Sequence, residues 1–219
     1  MRGLSQRTRI KVCGLTREAD VAAAVEAGVD AVGLNLYTKS PRHVSIERAA
    51  ALARELPPFV VPVLVLVNAN KREIDAACRA LPQAMLQFHG DETSADCEAP
   101  GRAYLRAVRM APGVDLLDWA RRFSHAAGLL LDAHVDGYGG GGKRFDWSLI
   151  PPAVPRPLVL SGGLNPASVI DGVLALRPYA VDVSSGVEAG DKGIKDATLI
   201  RRFCEAVREA DARLADSAT

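Results

Sequence analysis

Two residues capable of proton transfer follow apolar runs in this sequence. Cys13 comes directly after the run 8–12, and Asp132 directly after the run 129–131. A cysteine among aliphatic residues is commonly a small packing residue, but a thiol at a strand end could act as a base once ionised. Asp132 is either a solvated loop residue or a carboxyl in an apolar setting, where it keeps its proton more readily and can act as an acid. These residues favour acid/base chemistry.

Three further polar residues lie where ligand contacts are expected. Arg42 belongs to the polar loop 37–43 and could clamp a carboxylate bidentately, although a solvated surface arginine is the simpler interpretation of this residue alone. His89 follows the run 84–88 and either hydrogen-bonds a ligand or caps the next helix. Asp182 lies within the last apolar run. All three are candidates for contact with a small polar substrate.

Two turns of small residues end consecutive apolar runs. Ser161-Gly162-Gly163 follows the run 158–160, and Ser184-Ser185-Gly186 follows the run 179–183. Small residues let backbone N–H groups approach an anion closely. One such turn would be read as a simple connection. Two of them in consecutive β-α units favour a phosphate held between two parallel strand ends.

Composition and motif searches exclude several functional classes. The net charge is +1 with both signs interspersed, which indicates neither nucleic acid nor an anionic membrane as a partner. There is no clustered His/Asp/Glu set for a metal and no Ser/His/Asp order typical of a hydrolase. The four cysteines form no C-x-x-C pair, so neither zinc nor a disulfide framework is indicated. The expectation is a site without a metal ion.

The absence of long apolar segments indicates a cytoplasmic location. The longest apolar run, 59–67, is too short to span a bilayer, and no apolar segment follows the basic start 1–9 as it would in a secretory signal. The length of the chain also limits the number of domains that we expect. With 219 residues and no linker-like stretch, we expect one domain over 1–219 with a frayed tail from about residue 216.

Strand and helix patterns alternate along the whole chain. Strands are predicted at 8–12, 30–36, 59–67, 84–88, 104–108, 128–131, 158–160 and 179–183. Helices are predicted at 16–27, 45–56, 71–80, 91–98, 114–125, near Trp147, from a cap at Asn165, and at 194–214. Eight such units predict an α/β fold with a closed (β/α)8 TIM barrel; a doubly wound open sheet is the alternative. The glycine-rich loop 133–143 is expected to fold over a ligand.

Seven short motifs, taken in order, resemble one family. They are Lys11-Val12-Cys13-Gly14-Leu15-Thr16, Lys39-Ser40-Pro41-Arg42, Leu86-Gln87-Phe88-His89-Gly90, Leu130-Leu131-Asp132, Gly141-Gly142-Lys143-Arg144-Phe145-Asp146-Trp147, Leu160-Ser161-Gly162-Gly163-Leu164 and Val181-Asp182-Val183-Ser184-Ser185-Gly186-Val187-Glu188. Together they resemble the phosphoribosylanthranilate isomerases of tryptophan biosynthesis, over nearly the whole chain.

The resemblance implies an activity and a role for each candidate. It implies a (β/α)8 barrel that converts N-(5-phosphoribosyl)anthranilate to 1-(2-carboxyphenylamino)-1-deoxyribulose 5-phosphate by an Amadori rearrangement, without a cofactor. By position, Cys13 matches the family's general base and Asp132 its general acid. Arg42 matches the residue that holds the anthranilate carboxylate. His89 and Asp182 match pocket positions, and the phosphate site matches the two turns, with Gly162, Gly163, Ser184, Ser185 and Gly186.

Small departures and two competing functions accompany this resemblance. Asn35 places an amide in an otherwise apolar strand, which leaves the shape of the second-loop pocket open. A related barrel isomerase of histidine biosynthesis performs the same rearrangement, but Cys13 in place of a first-strand Asp argues against it. A non-catalytic barrel that binds a phosphate ligand is the third interpretation. The expected assembly is a monomer or a homodimer.

Overall fold

A computed structural model shows a closed barrel of eight parallel strands and describes residues 7–133 and 145–217. The strands are β1 Arg9–Cys13, β2 Ala31–Asn35, β3 Val61–Leu66, β4 Met85–Phe88, β5 Tyr104–Met110, β6 Gly128–Ala133, β7 Leu158–Leu160 and β8 Ala180–Val183. Each strand pairs with the next, and β8 pairs with β1. The predicted barrel is confirmed. Most of the predicted ligand-covering loop, 133–143, lies outside the described residues.

Helices cover the outside of the barrel. Within the described residues, the α-helices are α1 Glu18–Glu26, α2 Ile46–Arg54, α3 Lys71–Ala80, α4 Ser94–Glu98, α5 Leu116–Arg122, α6 Val169–Leu176 and α7 Ala197–Asp216. The predicted helix near Trp147 is a single 3-10 turn, Trp147–Leu149. Within the described residues, the helical segment after β6 is therefore shorter than any of the α-helices.

Capping side chains explain where the helices begin. Thr93 forms a capping box with Asp96, so α4 begins three residues later than the pattern predicts. Asp196 accepts from the N–H groups of Thr198 and Leu199, which fixes the start of α7. Asn165 likewise accepts from two N–H groups in the turn before α6. The helix α7 still includes Asp216, where a frayed tail was expected.

The third strand begins later than its apolar run indicates. Phe59 has a φ of 74° and a side chain that is 97 % exposed, so it belongs to a turn rather than to a strand. Pro62 is the second residue of β3 and precedes the first β3–β4 pair, Val63 with Met85. The proline therefore occupies the beginning of the strand, as predicted from its missing N–H group.

The barrel interior changes in polarity along its axis. Because side chains alternate along a strand, every second residue of each strand points inward. At the amino ends of the strands these inward residues form a small apolar cluster, Leu105, Ala107, Leu130, Val159 and Ala180. Towards the carboxyl ends they become polar. This gradient places the residues capable of chemistry at one mouth of the barrel, as is typical of TIM barrels.

Candidate active site

A cavity of about 390 Å³ opens at the carboxyl ends of the strands. Nine of the ten predicted site residues line it: Cys13, Arg42, His89, Asp132, Gly162, Gly163, Asp182, Ser184 and Ser185. Gly186 does not line the cavity; a Cβ there would collide with the Leu164 carbonyl oxygen. Its role is to let the eighth-strand turn approach the seventh-strand turn.

Cys13 is the last residue of β1 and lies at the cavity wall. A Cβ at Gly33 would lie 2.5 Å from the Cys13 sulfur, so only glycine on the neighbouring strand leaves room for this thiol. The Cys13 carbonyl accepts from the Ser184 hydroxyl at 3.0 Å, which links β1 to the small-residue turn after β8. Burial raises the pKa of the Cys13 thiol, and the ammonium of Lys11 opposes that rise. The thiol therefore faces the cavity mainly in its protonated form.

Asp132 lies within β6 and is 8 % exposed, so the interpretation as a solvated loop residue is wrong. One carboxylate oxygen accepts from the Ala133 N–H at 2.9 Å. The other lies 3.2 Å from His89 Nε2. This carboxyl is therefore fixed at the mouth of the barrel rather than free to rotate into solvent.

His89 lies between Asp132 and Gln87 in a short polar chain. Its Nδ1 lies 3.2 Å from the amide nitrogen of Gln87, which is buried on the inner face of β4. With that amide as donor, Nδ1 accepts and Nε2 carries the proton; Nε2 lies 3.2 Å from Asp132 but makes no aligned hydrogen bond to a described residue. Thr93 caps α4 instead, so the interpretation of His89 as a helix cap is wrong.

Arg42 is 5 % exposed, which overturns its interpretation as a solvated surface arginine. Its Nε and Nη2 atoms donate to the two carboxylate oxygens of Glu188, each at 2.7 Å. Glu188 also accepts from Lys195 Nζ at 3.0 Å. Burial would raise the pKa of Glu188, but Arg42 and Lys195 outweigh it and hold the pKa at about 2. The guanidinium of Arg42 is thus oriented by Glu188, and its other N–H groups can donate to a ligand in the cavity.

Asp182 lies on β8 and has both carboxylate oxygens engaged. One accepts from Lys11 Nζ at 2.8 Å and the other from the Ser161 hydroxyl at 3.2 Å. Ser161 belongs to the seventh-strand turn, so this carboxylate ties β1, β7 and β8 together below the cavity. Asp182 is therefore a cavity residue whose orientation is fixed before any ligand binds.

The two small-residue turns lie side by side at the cavity. Gly162 and Gly163 both have positive φ, at 79° and 66°, which other residues adopt only with strain. A Cβ at Gly162 would lie 2.7 Å from the Ala133 backbone nitrogen. Lys195 Nζ donates to the carbonyl of Ser184, so a buried cation supports the second turn. These turns offer backbone donors to an anion at the barrel mouth.

Asn35 orders the second loop. Its side-chain amide donates to the Ser40 hydroxyl at 3.1 Å and accepts from the Tyr37 N–H at 2.9 Å. The Ser40 hydroxyl in turn accepts from the Arg42 N–H. The amide that is unexpected in an apolar strand therefore holds the loop that carries Arg42.

Sequence reasoning assigned no role to four supporting residues: Lys11, Gln87, Glu188 and Lys195. Lys11 and Gln87 could have been found, because each lies two residues before a candidate on the same strand and so shares its face. The pair of Glu188 with Arg42 spans 146 residues and left no local signal.

A search of the described residues, 7–133 and 145–217, finds no group of three or more His, Cys, Asp or Glu side chains placed to hold a metal ion. The same residues include no helix long and apolar enough to cross a membrane. The polar groups at the cavity include a thiol, carboxyls, an imidazole and a guanidinium, which suit the transfer of protons and the binding of an anion.

Comparisons with known proteins agree with this arrangement. A protein from Methylibium petroleiphilum named N-(5'-phosphoribosyl)anthranilate isomerase is 71 % identical over 211 residues, covering 96 % of this chain and 99 % of that protein. A protein of the same name from Leptothrix cholodnii is 66 % identical over 213 residues, covering 97 % and 96 %.

A phosphoribosyl anthranilate isomerase structure from Thermus thermophilus superposes with a TM-score of 0.84 at 32 % identity, covering 92 % of this chain and 99 % of that one. Another isomerase structure, at 38 % identity and a TM-score of 0.79 with the same coverage, is a complex with reduced 1-(o-carboxyphenylamino)-1-deoxyribulose 5-phosphate. The model of the family described as N-(5'phosphoribosyl)anthranilate (PRA) isomerase matches residues 10–206. The chain belongs to that family.

Proposed function

We propose that this chain isomerises N-(5'-phosphoribosyl)anthranilate to 1-(2-carboxyphenylamino)-1-deoxyribulose 5-phosphate. The observation that carries the proposal is the position of Cys13 and Asp132 on the wall of one cavity, three strands apart around the barrel. The cavity also contains a buried arginine and two anion-binding turns. A substrate with a carboxylate at one end, a phosphate at the other and a sugar between them suits these groups.

Asp132 and Cys13 supply the two proton transfers that the reaction needs. Asp132 donates a proton to the ring oxygen as the bond from that oxygen to the first ribose carbon breaks, which gives an open-chain imine. The thiolate of Cys13 then removes the proton from the second carbon, and the electron pair of that bond forms the enolamine. The Cys13 thiol returns a proton to the first carbon, the hydroxyl on the second carbon gives its proton to the Asp132 carboxylate, and the second carbon becomes the ketone. One acid and one base balance the reaction.

Arg42 is proposed to bind the anthranilate carboxylate, and we expect Arg42→Ala to act mainly on KM. The carboxylate is remote from the reacting carbons, so it is held similarly in the ground state and the transition state. Loss of a charged hydrogen bond should raise KM by about tenfold to a hundredfold. Steady-state kinetics of Arg42→Ala and of Arg42→Lys, which keeps the charge but loses the fork, would test this role. A large loss of kcat with KM unchanged would contradict it.

The turns at Gly162-Gly163 and Ser184-Ser185 are proposed to bind the substrate phosphate, with Gly186 allowing their close approach. We therefore expect inorganic phosphate to inhibit competitively, raising the apparent KM and leaving kcat unchanged, because backbone donors bind either phosphate. Rates in chloride at matched ionic strength provide the control for salt. Purely non-competitive inhibition would count against this placement.

Growth complementation tests the proposed function against its alternatives. The chain should restore growth without tryptophan to a bacterium that lacks its phosphoribosylanthranilate isomerase. It should not rescue a strain lacking the corresponding isomerase of histidine biosynthesis. A chain carrying Cys13→Ser, expressed at the same level, is the matched control and should not restore growth. If the parental protein is expressed and folded but does not restore growth, the proposed function fails and the non-catalytic, phosphate-binding interpretation is favoured.

We further propose that the protein acts in the cytoplasm as a monomer or a homodimer. All four cysteines, Cys13, Cys78, Cys97 and Cys204, are free, as is typical of a reducing compartment. One structural relative, which aligns at 36 % identity with a TM-score of 0.79, is described as monomers generated from the dimeric isomerase of Thermotoga maritima. Light scattering of the purified protein distinguishes the two assemblies.

A further inference from the structure

A buried ammonium group lies beside Cys13 and has no part in the proton transfers. Lys11 precedes Cys13 by two residues on β1, so the two side chains share the inner face of the strand. Lys11 is 3 % exposed. Burying a charge is unfavourable even when it is paired, so an apolar residue would fill this position at lower cost unless the charge has a use.

Asp182 holds Lys11 in place. The two residues face each other in the β1–β8 register, and Lys11 Nζ donates to Asp182 Oδ1 at 2.8 Å. Burial alone would lower the pKa of Lys11, but the neighbouring Asp182 and Cys13 outweigh it and raise that pKa. Lys11 is therefore positively charged across the physiological range, and its contact with Cys13 becomes more favourable when the thiol ionises.

Three charged groups act on the Cys13 thiol, and each comes from a different part of the barrel, whereas the neighbouring strand β2 contributes only Gly33 there. Lys11 on β1 favours the thiolate, Asp182 on β8 disfavours it, and Lys195 before α7 favours it. Lys195 Nζ is already engaged by Glu188 and by the Ser184 carbonyl, each at 3.0 Å. Among the three, Lys11 has the largest influence on the thiol.

We propose that Lys11, clamped by Asp182, is a positioning residue that stabilises the thiolate of Cys13. Asp182 thereby has a second role beside the proposed ligand contact. It holds the Lys11 ammonium next to Cys13, and its own negative charge partly offsets the stabilisation of the thiolate by Lys11. Only the catalytic consequence rests on the proposed function. The electrostatic effect on the thiol is a property of the protein without substrate.

Alkylation of Cys13 by iodoacetamide measures this effect without turnover. The reaction needs the thiolate, so its rate at a fixed pH below the thiol pKa reports the ionised fraction. Peptide mass spectrometry follows Cys13 separately from Cys78, Cys97 and Cys204. Lys11→Met should slow alkylation by about tenfold or more, the usual effect of removing one adjacent opposite charge. Lys71→Met, the same change at an exposed helix position, should leave the rate unchanged.

Asp182→Asn should change the rate in the opposite direction. It removes the negative charge but keeps an amide oxygen that can still accept from Lys11 Nζ and hold it in place, so alkylation of Cys13 should become faster than in the parent protein. If the pair of Lys11 and Asp182 had only a structural role, both substitutions would change the alkylation rate of Cys13 in the same direction. The proposal is overturned if folded Lys11→Met alkylates at the parental rate, or if Asp182→Asn does not accelerate the reaction.

Two further measurements distinguish a failure of the inference from a failure of folding or of the proposed function. If Lys11→Met does not fold, as circular dichroism would show, the rate of Asp182→Asn decides alone. If the alkylation rates shift as expected but the parent protein does not isomerise phosphoribosylanthranilate, the proposed function fails and the thiolate contact stands. If the parent protein is active, the rise of the isomerisation rate with pH should occur at higher pH in Lys11→Met than in the parent. A rise at the same pH in both proteins would contradict the inference.

Discussion

Cys13→Ser is expected to lower kcat by roughly 10²-fold to 10⁴-fold, the usual worth of a positioned proton-transfer group. Serine keeps the shape of the site beside Gly33 and leaves the backbone contact with Ser184 in place. Its hydroxyl, however, barely ionises near neutral pH and cannot serve as the base. Substrate binding and the fold should be nearly unchanged, because the charged groups that hold the substrate lie on other strands and loops.

The pH dependence of the rate distinguishes a base from a packing residue. Burial raises the pKa of the Cys13 thiol, so only a small fraction is thiolate at neutral pH. The rate of the parent enzyme should therefore climb with pH through the neutral and mildly alkaline range, and Cys13→Ser should lose that climb. Cys78→Ser, at a half-buried position on α3, is the matched control and should keep parental kcat. A folded Cys13→Ser protein with near-parental kcat at all pH values would refute the assignment.

Asp132→Asn is expected to lower kcat by a similar factor, roughly 10²-fold to 10⁴-fold. The amide oxygen can still accept from the Ala133 N–H, so the geometry at the end of β6 should persist. The amide has no acidic proton to give to the ring oxygen, so ring opening should become the slow step. Because the change removes an interaction made only in the transition state, KM should move little.

A control at a distance separates this effect from a general loss of charge. Asp171→Asn, on the exposed face of α6, makes the same substitution away from the cavity and should leave kcat unchanged. Steady-state kinetics on the three proteins, with circular dichroism to show that each is folded, completes the comparison. Retention of parental kcat in folded Asp132→Asn would show that another group protonates the ring oxygen.

The sequence was sufficient to predict the barrel and the position of most candidates, because both depend on local patterns. Apolar runs that alternate with amphipathic segments predict parallel strands, and residues such as Cys13 and His89 follow those runs directly. The same local signals failed at Phe59, where an apolar residue continues the run in sequence but occupies a turn in the structure.

The supporting contacts could not be predicted because they join distant parts of the chain. Taken alone, Arg42 favours a solvated surface position, since nothing near it in the sequence shows that Glu188 accepts from its guanidinium. The pair of Lys11 and Asp182 spans 171 residues and depends on the register with which β8 closes on β1. Closure of the barrel, rather than any motif, creates these pairs.

The most direct test of the account is turnover of phosphoribosylanthranilate by the purified protein, followed by substrate fluorescence in buffer with a chelator and no added cofactor. We predict that a small amount of protein consumes many equivalents of substrate, and that the chelator does not change the rate, because Cys13 and Asp132 supply both proton transfers. Folded protein that binds substrate without consuming it, or that turns over only with an added metal or cofactor, would contradict the account.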